Sequence, residues 1–452
     1  MNILVVGCGN VGYTIAETLN REKHSITIID IDEEKASTMA TRLDVVSVAG
    51  NGAAYSVLKE GGVKDCDVLI ATTGQDEINM LCCLIAKNEG KCRTIARVRN
   101  PEYYNEIGSA QKFLGIDLVI NPEFSAAESC YQLLWAPGAS YVDSFAQGKV
   151  LVVTVRLPEK SPWVRKSLNE INRGCRAQFL IAVVERKGES FVPNGYSVIQ
   201  EGDQLSLLVD KADLNLVLRN MGLVFKPIKS VLIGGCGTMG YYLTKRLLKE
   251  RVSVKIVEPN LSRCNKLWDE LPGATVLNGS FNNELFLQEA GISNVDAVVA
   301  LSGNDSDNIV LSLYANKVTN AKLITRVNKM TMGGVLSEIP IGAIVSPKAL
   351  TAEYILRYAR ASSSDESDSS MEAMHFLADG KIEALSFTVY RDSPLVGVQF
   401  KSLRLRKGVL FGAIIRGKSV IIPSGVDAIR PGDLVVVLTE HKGMRKIRDV
   451  LA

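Results

Sequence analysis

Two glycine-rich segments carry a residue pattern that often receives a phosphate. The first, GCGNVG, spans 7–12 and follows the apolar run NILVV; the second, GCGTMG, spans 235–240 and follows SVLIG. In this pattern the first glycine allows a tight turn, the second lets a phosphate approach the main chain, and the third lets the next helix pack closely. The N–H groups and the dipole of that helix then favour an anion. Each segment therefore predicts a nucleotide-binding turn between a strand and a helix.

An acidic residue closes the second apolar run of each copy. Asp30 ends ITIID, 18 positions after Gly12, and Glu258 ends VKIVE. A carboxylate at this place accepts hydrogen bonds from the ribose hydroxyls of an adenosine and repels a 2′-phosphate. The pattern favours NAD(H) or an adenine nucleotide over NADP(H). Pro259, directly after Glu258, narrows the local geometry of the second copy.

Small polar residues and one arginine end two later apolar runs of each copy. Thr72-Thr73-Gly74 and Ser302-Gly303 are predicted at the carboxyl edge of a parallel sheet, where such sheets bind ligands. They suit a ribose or nicotinamide, and they equally suit an ordinary helix cap. Arg97 and Arg326 lie in apolar surroundings, where a guanidinium needs a partner. A ligand phosphate or a structural carboxylate would each serve.

The elements that must position these residues occur twice along the chain. The glycine segments are 228 residues apart, since 235 − 7 = 228, and TIARV at 94–98 matches LITRV at 323–327 at a shift of 229. Asn51-Gly52 aligns with Asn278-Gly279 at a shift of 227. A second unit also repeats, because PNGYSVIQEGDQLSLLV matches PSGVDAIRPGDLVVVLT at a shift of 230. The chain therefore has the order A–B–A′–B′.

The fold class follows from the two kinds of unit. Apolar runs alternate with helical periodicity in A and A′, which predicts an α/β fold with two Rossmann-like, doubly wound parallel sheets. B and B′ read as strands with polar turns, with short helices in B near 167–171 and 212–219, and are expected to be small α+β domains. The expected boundaries are 1–137, 138–224, 225–360 and 371–452, with a Ser/Asp-rich flexible linker at 361–370.

Composition excludes several classes of function. Lys plus Arg number 52 against 49 Asp plus Glu in 452 residues, and the interspersed signs mark no nucleic-acid surface. Three scattered histidines and nine cysteines without a CxxC pair offer no metal site, and they indicate reduced, intracellular thiols. No run approaches the roughly 18 apolar residues that span a bilayer, and no cationic segment precedes the first apolar run. A soluble cytoplasmic protein is expected.

Two classes of protein would use such nucleotide sites. A dehydrogenase would need a proton-transfer group beside the cofactor, and neither B nor B′ supplies a recognisable constellation. We therefore expect no catalytic residues. A sensor that changes shape on binding nucleotide makes better use of two sites, since they can compete, cooperate or read a ratio.

Specific segments resemble the TrkA family, the cytosolic regulatory subunits of bacterial Trk potassium transporters. They are GCGNVG with Asp30, the run from 49 to 86 that contains Gly-Asn-Gly and TGQDEIN, and RTIARVRNPEYYNEI. A and A′ resemble the family's RCK-N domains and B and B′ its RCK-C domains, so the resemblance covers essentially the whole chain. The second copy departs from the pattern at Gly234-Gly235, at TMG in place of NVG, and at NKMTM (328–332). Its ligand is expected to differ or to bind more weakly.

The resemblance implies a peripheral protein on the inner face of the membrane. It would form a homo-oligomer, a tetramer whose RCK-N domains make a gating ring beneath a TrkH- or TrkG-type channel. Regulation of a different cation channel or antiporter is the alternative. NAD(H), and also ATP or ADP, would bind in the RCK-N clefts. The first site would comprise Gly7, Cys8, Gly9, Asn10, Val11, Gly12, Asp30, Asn51, Thr72, Thr73, Gly74 and Arg97. The second would comprise Gly235, Cys236, Gly237, Thr238, Met239, Gly240, Glu258, Asn278, Ser302, Gly303 and Arg326.

Overall fold

A computed structural model describes residues 1–223, 226–328, 339–362, 368–378 and 380–452. These residues form two compact units. The first contains 1–127 and 346–359, and the second contains 128–345 and 360–452. Within the described ranges, no helix is both long and apolar enough to cross a membrane.

The first unit is built on a six-stranded parallel sheet in the order β3-β2-β1-β4-β5-β6. Its central strands are apolar on both faces because helices cover both, which agrees with the predicted doubly wound fold. The strands are β1 (Asn2–Val6), β2 (Ser25–Asp30), β3 (Val46–Ala49), β4 (Val68–Ala71), β5 (Arg93–Arg97) and β6 (Leu118–Ile120). The helices are α1 (Asn10–Arg21), α2 (Glu33–Leu43), α3 (Tyr55–Glu60), α4 (Asp76–Glu89), α5 (Pro101–Ala110) and α6 (Pro122–Trp135).

A second parallel sheet repeats this topology in the order β14-β13-β12-β15-β16-β17. The strands are β12 (Ser230–Gly234), β13 (Ser253–Glu258), β14 (Thr275–Asn278), β15 (Ala297–Ala300), β16 (Lys322–Arg326) and β17 (Ala343–Val345). The helices are α9 (Thr238–Lys249), α10 (Leu261–Glu270), α11 (Glu284–Glu289), α12 (Asp305–Val318) and α13 (Pro347–Ser362).

Two helices do not follow the linear domain boundaries. Most of α13 belongs to the first compact unit, whereas α6 from Glu128 onward belongs to the second. In the first unit the Arg93 guanidinium lies over the Tyr358 ring of α13, 6.0 Å from its centroid. The compact units therefore differ from the linear boundaries at 137 and 360, because sequence order does not specify which sheet a helix covers.

Two five-stranded antiparallel sheets belong to the second unit. Their orders, β10-β9-β11-β8-β7 and β18-β19-β22-β20-β21, match strand for strand. The first has β7 (Ala139–Phe145), β8 (Val150–Arg156), β9 (Phe179–Arg186), β10 (Glu189–Phe191) and β11 (Gln204–Asp210), with α7 (Leu168–Gly174) and α8 (Leu214–Asn220). The second has β18 (Ser369–Leu377), β19 (Ile382–Val389), β20 (Val409–Arg416), β21 (Ser419–Ile421) and β22 (Leu434–Thr439).

The antiparallel sheets share one apolar core. Residues of β8 such as Val152 and residues of β22 such as Val436 belong to the same buried cluster. The two short helices predicted in B lie at α7 and α8. The flexible linker predicted at 361–370 is shorter in the structure: residues 361–362 end α13 and residues 369–370 begin β18, while 363–367 lie outside the described residues.

Candidate nucleotide-binding sites

Each glycine turn leaves its strand in a backbone conformation that favours glycine. Gly7 has φ +102° and Gly235 has φ +82°, and their N–H groups donate to the Ile29 and Val257 carbonyls at 2.8 and 2.9 Å. A Cβ on Gly7 would lie 2.8 Å from the Thr73 nitrogen. The first glycine of each turn is therefore required by the protein's own structure.

The middle glycine of each turn faces open space. Gly9 and Gly237 cap the N-termini of α1 and α9, and a Cβ on either would meet nothing within 4 Å. Their backbone angles suit any residue, so the protein's own packing does not demand glycine here. An exposed cradle that a Cβ would fill, at the N-terminus of a 12-residue helix, fits a phosphate.

The acidic residues reach back to the glycine turns. The Asp30 carboxylate accepts hydrogen bonds from the main-chain nitrogens of Cys8 and Asp32, and Glu258 accepts them from Cys236 and Asn260. Each carboxylate is half-buried. Since a carboxylate oxygen has two lone pairs, ribose hydroxyls can be accepted in addition.

The residues predicted at the ends of β4 and β15 divide into two groups. The Thr72 hydroxyl is buried and donates towards the Val6 carbonyl at 3.3 Å, which assigns it to holding β1 and β4 together. Thr73 and Ser302 are half-buried, and Gly74 and Gly303 are exposed, with room for a Cβ.

A buried asparagine braces this edge in both copies. The Asn79 Oδ1 accepts from the Thr73 nitrogen at 2.8 Å, and its Nδ2 donates to the Arg97 carbonyl at 2.9 Å. Asn308 makes the same two contacts with Ser302 and Arg326, at 2.8 and 3.0 Å. The amide thus fixes the ends of two adjacent strands. Sequence reasoning did not select either residue as a site residue, although the Asp-x-x-Asn spacing in both copies was a usable signal.

The aspartate of that same motif holds the loop after the next strand. Asp76 Oδ2 accepts from the Arg99 and Asn100 nitrogens at 2.8 and 2.7 Å, and Asp305 accepts from the Asn328 nitrogen at 3.0 Å. These carboxylates also escaped the sequence prediction. They hold the loops that follow Arg97 and Arg326; Asp76 is buried and Asp305 is half-buried.

The two predicted arginines have different surroundings. Arg97 pairs with Glu123 at 3.6 Å, so a structural carboxylate is one partner, and burial lowers the pKa of Arg97 while Glu123 opposes that shift. The Arg97 Nε and Glu123 Oε2 atoms remain buried without a hydrogen-bond partner. Arg326 has no ion pair among the described residues, and its Nε is also unpartnered. Both guanidinium groups retain unused donors.

The doubled glycine of the second copy is explained by core packing. A Cβ on Gly234 would lie 2.3 Å from Leu311 Cδ2, whereas the equivalent residue of the first copy is Val6. Conversely, a Cβ on Gly52 would lie 2.2 Å from Val6 Cγ1, and the second copy has the buried Phe281 at the place of Gly52. Large and small side chains have exchanged places, so Gly234 reports on packing and not on the ligand.

The predicted equivalence of Asn51 and Asn278 is wrong. The Gly50 and Gly279 nitrogens donate to the Asp30 and Glu258 carbonyls, respectively, which sets the shift here at 229. The shift is 228 at β13 and 229 at β14, so the second copy has one extra residue between these two strands. Asn51 therefore corresponds to Ser280. Asn51 Oδ1 and Ser280 Oγ each accept from the nitrogen two residues later, at 2.9 and 3.2 Å.

Several predicted site residues have side chains that the protein's own structure engages. The side chains of Val11, Cys236 and Met239 are buried in the core, and Asn278 donates to the Glu258 and Pro259 carbonyls. Cys8 is half-buried, Asn10 is exposed and Thr238 is half-buried. Of the departing segment NKMTM, residues 329–332 lie outside the described part of the chain.

Comparison with known proteins agrees with this repeated architecture. The TrkA-N domain family matches residues 3–122 and 231–347, and the TrkA-C domain family matches 152–222 and 384–452. The chain is 32% identical over 456 residues to the Trk system potassium uptake protein TrkA of Halomonas elongata, across 100% of this chain and 98% of that one. It is 31% identical over 451 residues to a TrkA homolog of Archaeoglobus fulgidus, across the full length of both.

Solved structures share the fold at lower identity. The GsuK channel bound to NAD aligns with a TM-score of 0.64 at 17% identity, across 99% of this chain and 78% of that one. The GsuK RCK domain aligns with the same score and identity, across 99% and 94%. The fold and its two glycine turns define a class of protein with two Rossmann-like domains, each followed by a small α+β domain. Within that class, the chain belongs to the TrkA family.

Proposed function

We propose that the chain is a nucleotide-sensing regulatory subunit that gates a membrane potassium uptake channel of TrkH or TrkG type. The observation that carries the proposal is the duplicated cradle, in which an exposed glycine at a helix N-terminus lies beside a carboxylate held by the same turn. The relatives that match along almost their whole length are named as Trk system potassium uptake proteins. The subunit would be cytoplasmic and peripheral on the inner face of the membrane.

NAD(H) is the ligand that we propose for the cradles, and ATP or ADP is a further candidate. Asp30 and Glu258 would receive ribose hydroxyls and repel a 2′-phosphate. The turns 7–12 and 235–240 would receive the phosphates, with Thr73, Ser302, Arg97 and Arg326 at the opposite wall. Preferential binding to one channel state by about 1–3 kcal/mol per site would bias gating once summed over a ring.

Exposed apolar residues at equivalent positions support a homo-oligomer. Leu81 of α4 is 40% exposed, Val310 at the same position of α12 is 54% exposed, and Leu313 is 39% exposed. Apolar side chains repeated on matching helix faces suit association of like domains, for which we favour a tetrameric ring. L81D and V310D should lower the mass measured by light scattering.

Titration of NADH, NAD, ATP and ADP tests the sensor. Asp30→Asn and Glu258→Gln retain the shape of each side chain and remove its charge, and Asp65→Asn on an exposed loop of the first domain is the matched control. We expect each cradle variant to weaken its own site at least about tenfold, the equivalent of roughly 1.4 kcal/mol. Unchanged affinity in both cradle variants would reject the proposal.

The dehydrogenase and the alternative partners are distinguished by two further measurements. Sustained turnover of a nicotinamide with any small substrate would restore the enzyme reading. Copurification with the membrane subunit identifies the partner, and potassium flux through that subunit in proteoliposomes should respond to NADH only when this chain is present. Copurification with a different cation channel or antiporter would redirect the function within the same sensor class.

A further inference from the structure

The two α+β domains make reciprocal contacts within the second compact unit. Lys149 Nζ donates to the Gly417 carbonyl and Lys381 Nζ donates to the Gly188 carbonyl, both at 2.8 Å. The two lysines are 232 residues apart, and each follows the turn that joins the first two strands of its sheet. The accepting carbonyls also belong to corresponding turns. Reciprocal contacts between equivalent residues define a local twofold axis.

An acidic and a basic residue meet at this axis from equivalent positions. Asp143 lies opposite Val152 in the first sheet, and His375 lies opposite Ala384 in the second. His375 follows Asp143 by 232 residues and Ala384 follows Val152 by the same number, so Asp143 and His375 are counterparts in the two sheets. His375 Nδ1 lies 2.9 Å from Asp143 Oδ2. Two identical domains would bring like residues together here. Duplication within one chain has allowed a complementary pair instead.

The surroundings of the His375 ring favour the imidazolium form. Besides the Asp143 carboxylate at Nδ1, the Ser144 carbonyl lies 3.3 Å from Nε2. The Phe145 ring meets the imidazole edge-on at 4.7 Å, and His375 is only 5% exposed. Neutral imidazole has one donor and one acceptor, so it cannot satisfy two acceptors, whereas imidazolium donates to both. Burial opposes the charge, but the adjacent carboxylate neutralises it.

Other charged groups on the neighbouring strands have partners of their own. Glu383 of β19 is held by Arg360 at 2.7 and 3.0 Å, and Lys381 donates to the opposite domain. Glu372 of β18 accepts from a threonine hydroxyl on β19 at 3.0 Å. On β7, the Tyr141 hydroxyl lies 3.4 Å from the Asp143 carboxylate. The Asp143 carboxylate is the group paired with Nδ1 of the ring.

We propose that the proton on His375 controls how tightly the two carboxyl-terminal domains are joined. With the proton bound, both hydrogen bonds across the axis are made. Without it, one acceptor faces a lone pair and the pairing with Asp143 loses its charge. The stability that this pair contributes is therefore complete below the ordinary histidine pKa of about 6.5. It is lost as pH rises through the titration midpoint of the pair in the folded protein. Cytoplasmic pH would act at a joint separate from the nucleotide cradles.

Thermal unfolding of the full chain between pH 5.5 and 9 tests this joint. His375→Gln removes the titration, Asp143→Asn removes the counter-charge, and His441→Gln is an exposed control. We expect wild type to exceed H375Q by roughly 2–5 °C at pH 6, and the difference to vanish by pH 9. The exchanged pair D143H/H375D should restore part of the difference, because the two positions are equivalent.

Imidazole NMR on histidine-labelled protein gives a second readout that does not depend on the stability of H375Q. The chain has three histidines, so H375Q and H441Q assign the signals. The His375 titration midpoint should fall by at least one pH unit in D143N. A His375 ring that is neutral at pH 6.5, or a difference in unfolding temperature that stays constant with pH, would overturn the proposal. Neither measurement involves nucleotide, so the sensor proposal is tested separately.

Discussion

The three glycines of the first turn should respond differently to the addition of one methyl group. At Gly12, a Cβ would lie 1.9 Å from the Gly7 carbonyl oxygen, against about 3.4 Å for an ordinary contact, so atoms must move by about 1.5 Å. Overpacking of this kind costs about 1–3 kcal/mol, and alanine recovers up to about 1 kcal/mol of helix propensity. We expect G12A to lower the stability of its domain by about 1–2 kcal/mol.

The second copy supplies a matched control for that estimate. A Cβ on Gly240 would lie 3.1 Å from Cys236 Sγ and 3.2 Å from the Gly235 oxygen, which a few tenths of an ångström would relieve. The gain in helix propensity should therefore cancel most of the cost. G240A should unfold near the wild-type temperature, whereas G12A should unfold several degrees lower, at about 2–4 °C per kcal/mol.

The middle glycine separates binding from folding. A Cβ on Gly9 meets nothing within 4 Å, so G9A should unfold close to wild type, and G237A should do the same. The added methyl group would occupy the space through which a phosphate approaches the turn. Isothermal titration with NADH should give at least tenfold weaker binding at the altered site, about 1.4 kcal/mol. Wild-type affinity in G9A, or equal destabilisation by G12A and G240A, would refute the reasoning.

Three further predictions concern ionisable groups that are buried or half-buried. Arg360 and Glu383 form an ion pair with two hydrogen bonds, and both side chains are 1% exposed. E383A should therefore lower the free energy of unfolding, measured with a chemical denaturant, by about 3–5 kcal/mol, and R360M/E383L should lower it much less. Burial lowers the pKa of Lys322 to about 8, below the unfolded value, so stability should rise between pH 8 and 10 by at most about 1.4 kcal/mol per unit; K322M should abolish that slope. Burial, together with the Asp30 charge, raises the pKa of the Cys8 thiol to about 12. Alkylation of Cys8 at pH 8, followed by mass spectrometry, should therefore be slower than that of a free thiol by a factor on the order of 10³. Comparable rates would contradict this prediction.

Much of the fold was available from the sequence because its signals are local. Apolar runs, glycine turns and the repeated order A–B–A′–B′ depend on residues close together in the chain. The structure has the two predicted parallel sheets, and it shows that the strands predicted for B and B′ form antiparallel sheets. Asp30 and Glu258 could be placed beside the glycine turns because adjacent parallel strands end at the same edge. The predicted family membership is confirmed by the matches along the whole chain.

Other features depend on distances between segments that a sequence does not contain. The first copy pairs a large Val6 with a small Gly52, and the second copy pairs a small Gly234 with a large Phe281. This exchange of size is recognised only in the structure, where the two members of each pair lie close together. The Asn51 register failed because an extra residue in a turn can be absorbed at several places along the chain. The compact unit to which α13 or α6 belongs depends on which sheet the helix covers. The order of elements along the chain allows either unit.

The sequence by itself determined that this chain has two glycine turns, each followed by an acidic residue at the end of the next strand. It also determined that two kinds of domain each occur twice. Those properties follow from short-range backbone preferences and hydrophobic periodicity. Only the tertiary structure decided which glycine leaves room for a ligand, that both Arg97 and Arg326 keep an unused donor, and that Asp143 meets His375 across a local twofold axis. These depend on close approach between segments that lie far apart in the chain, and close approach is a property of packing.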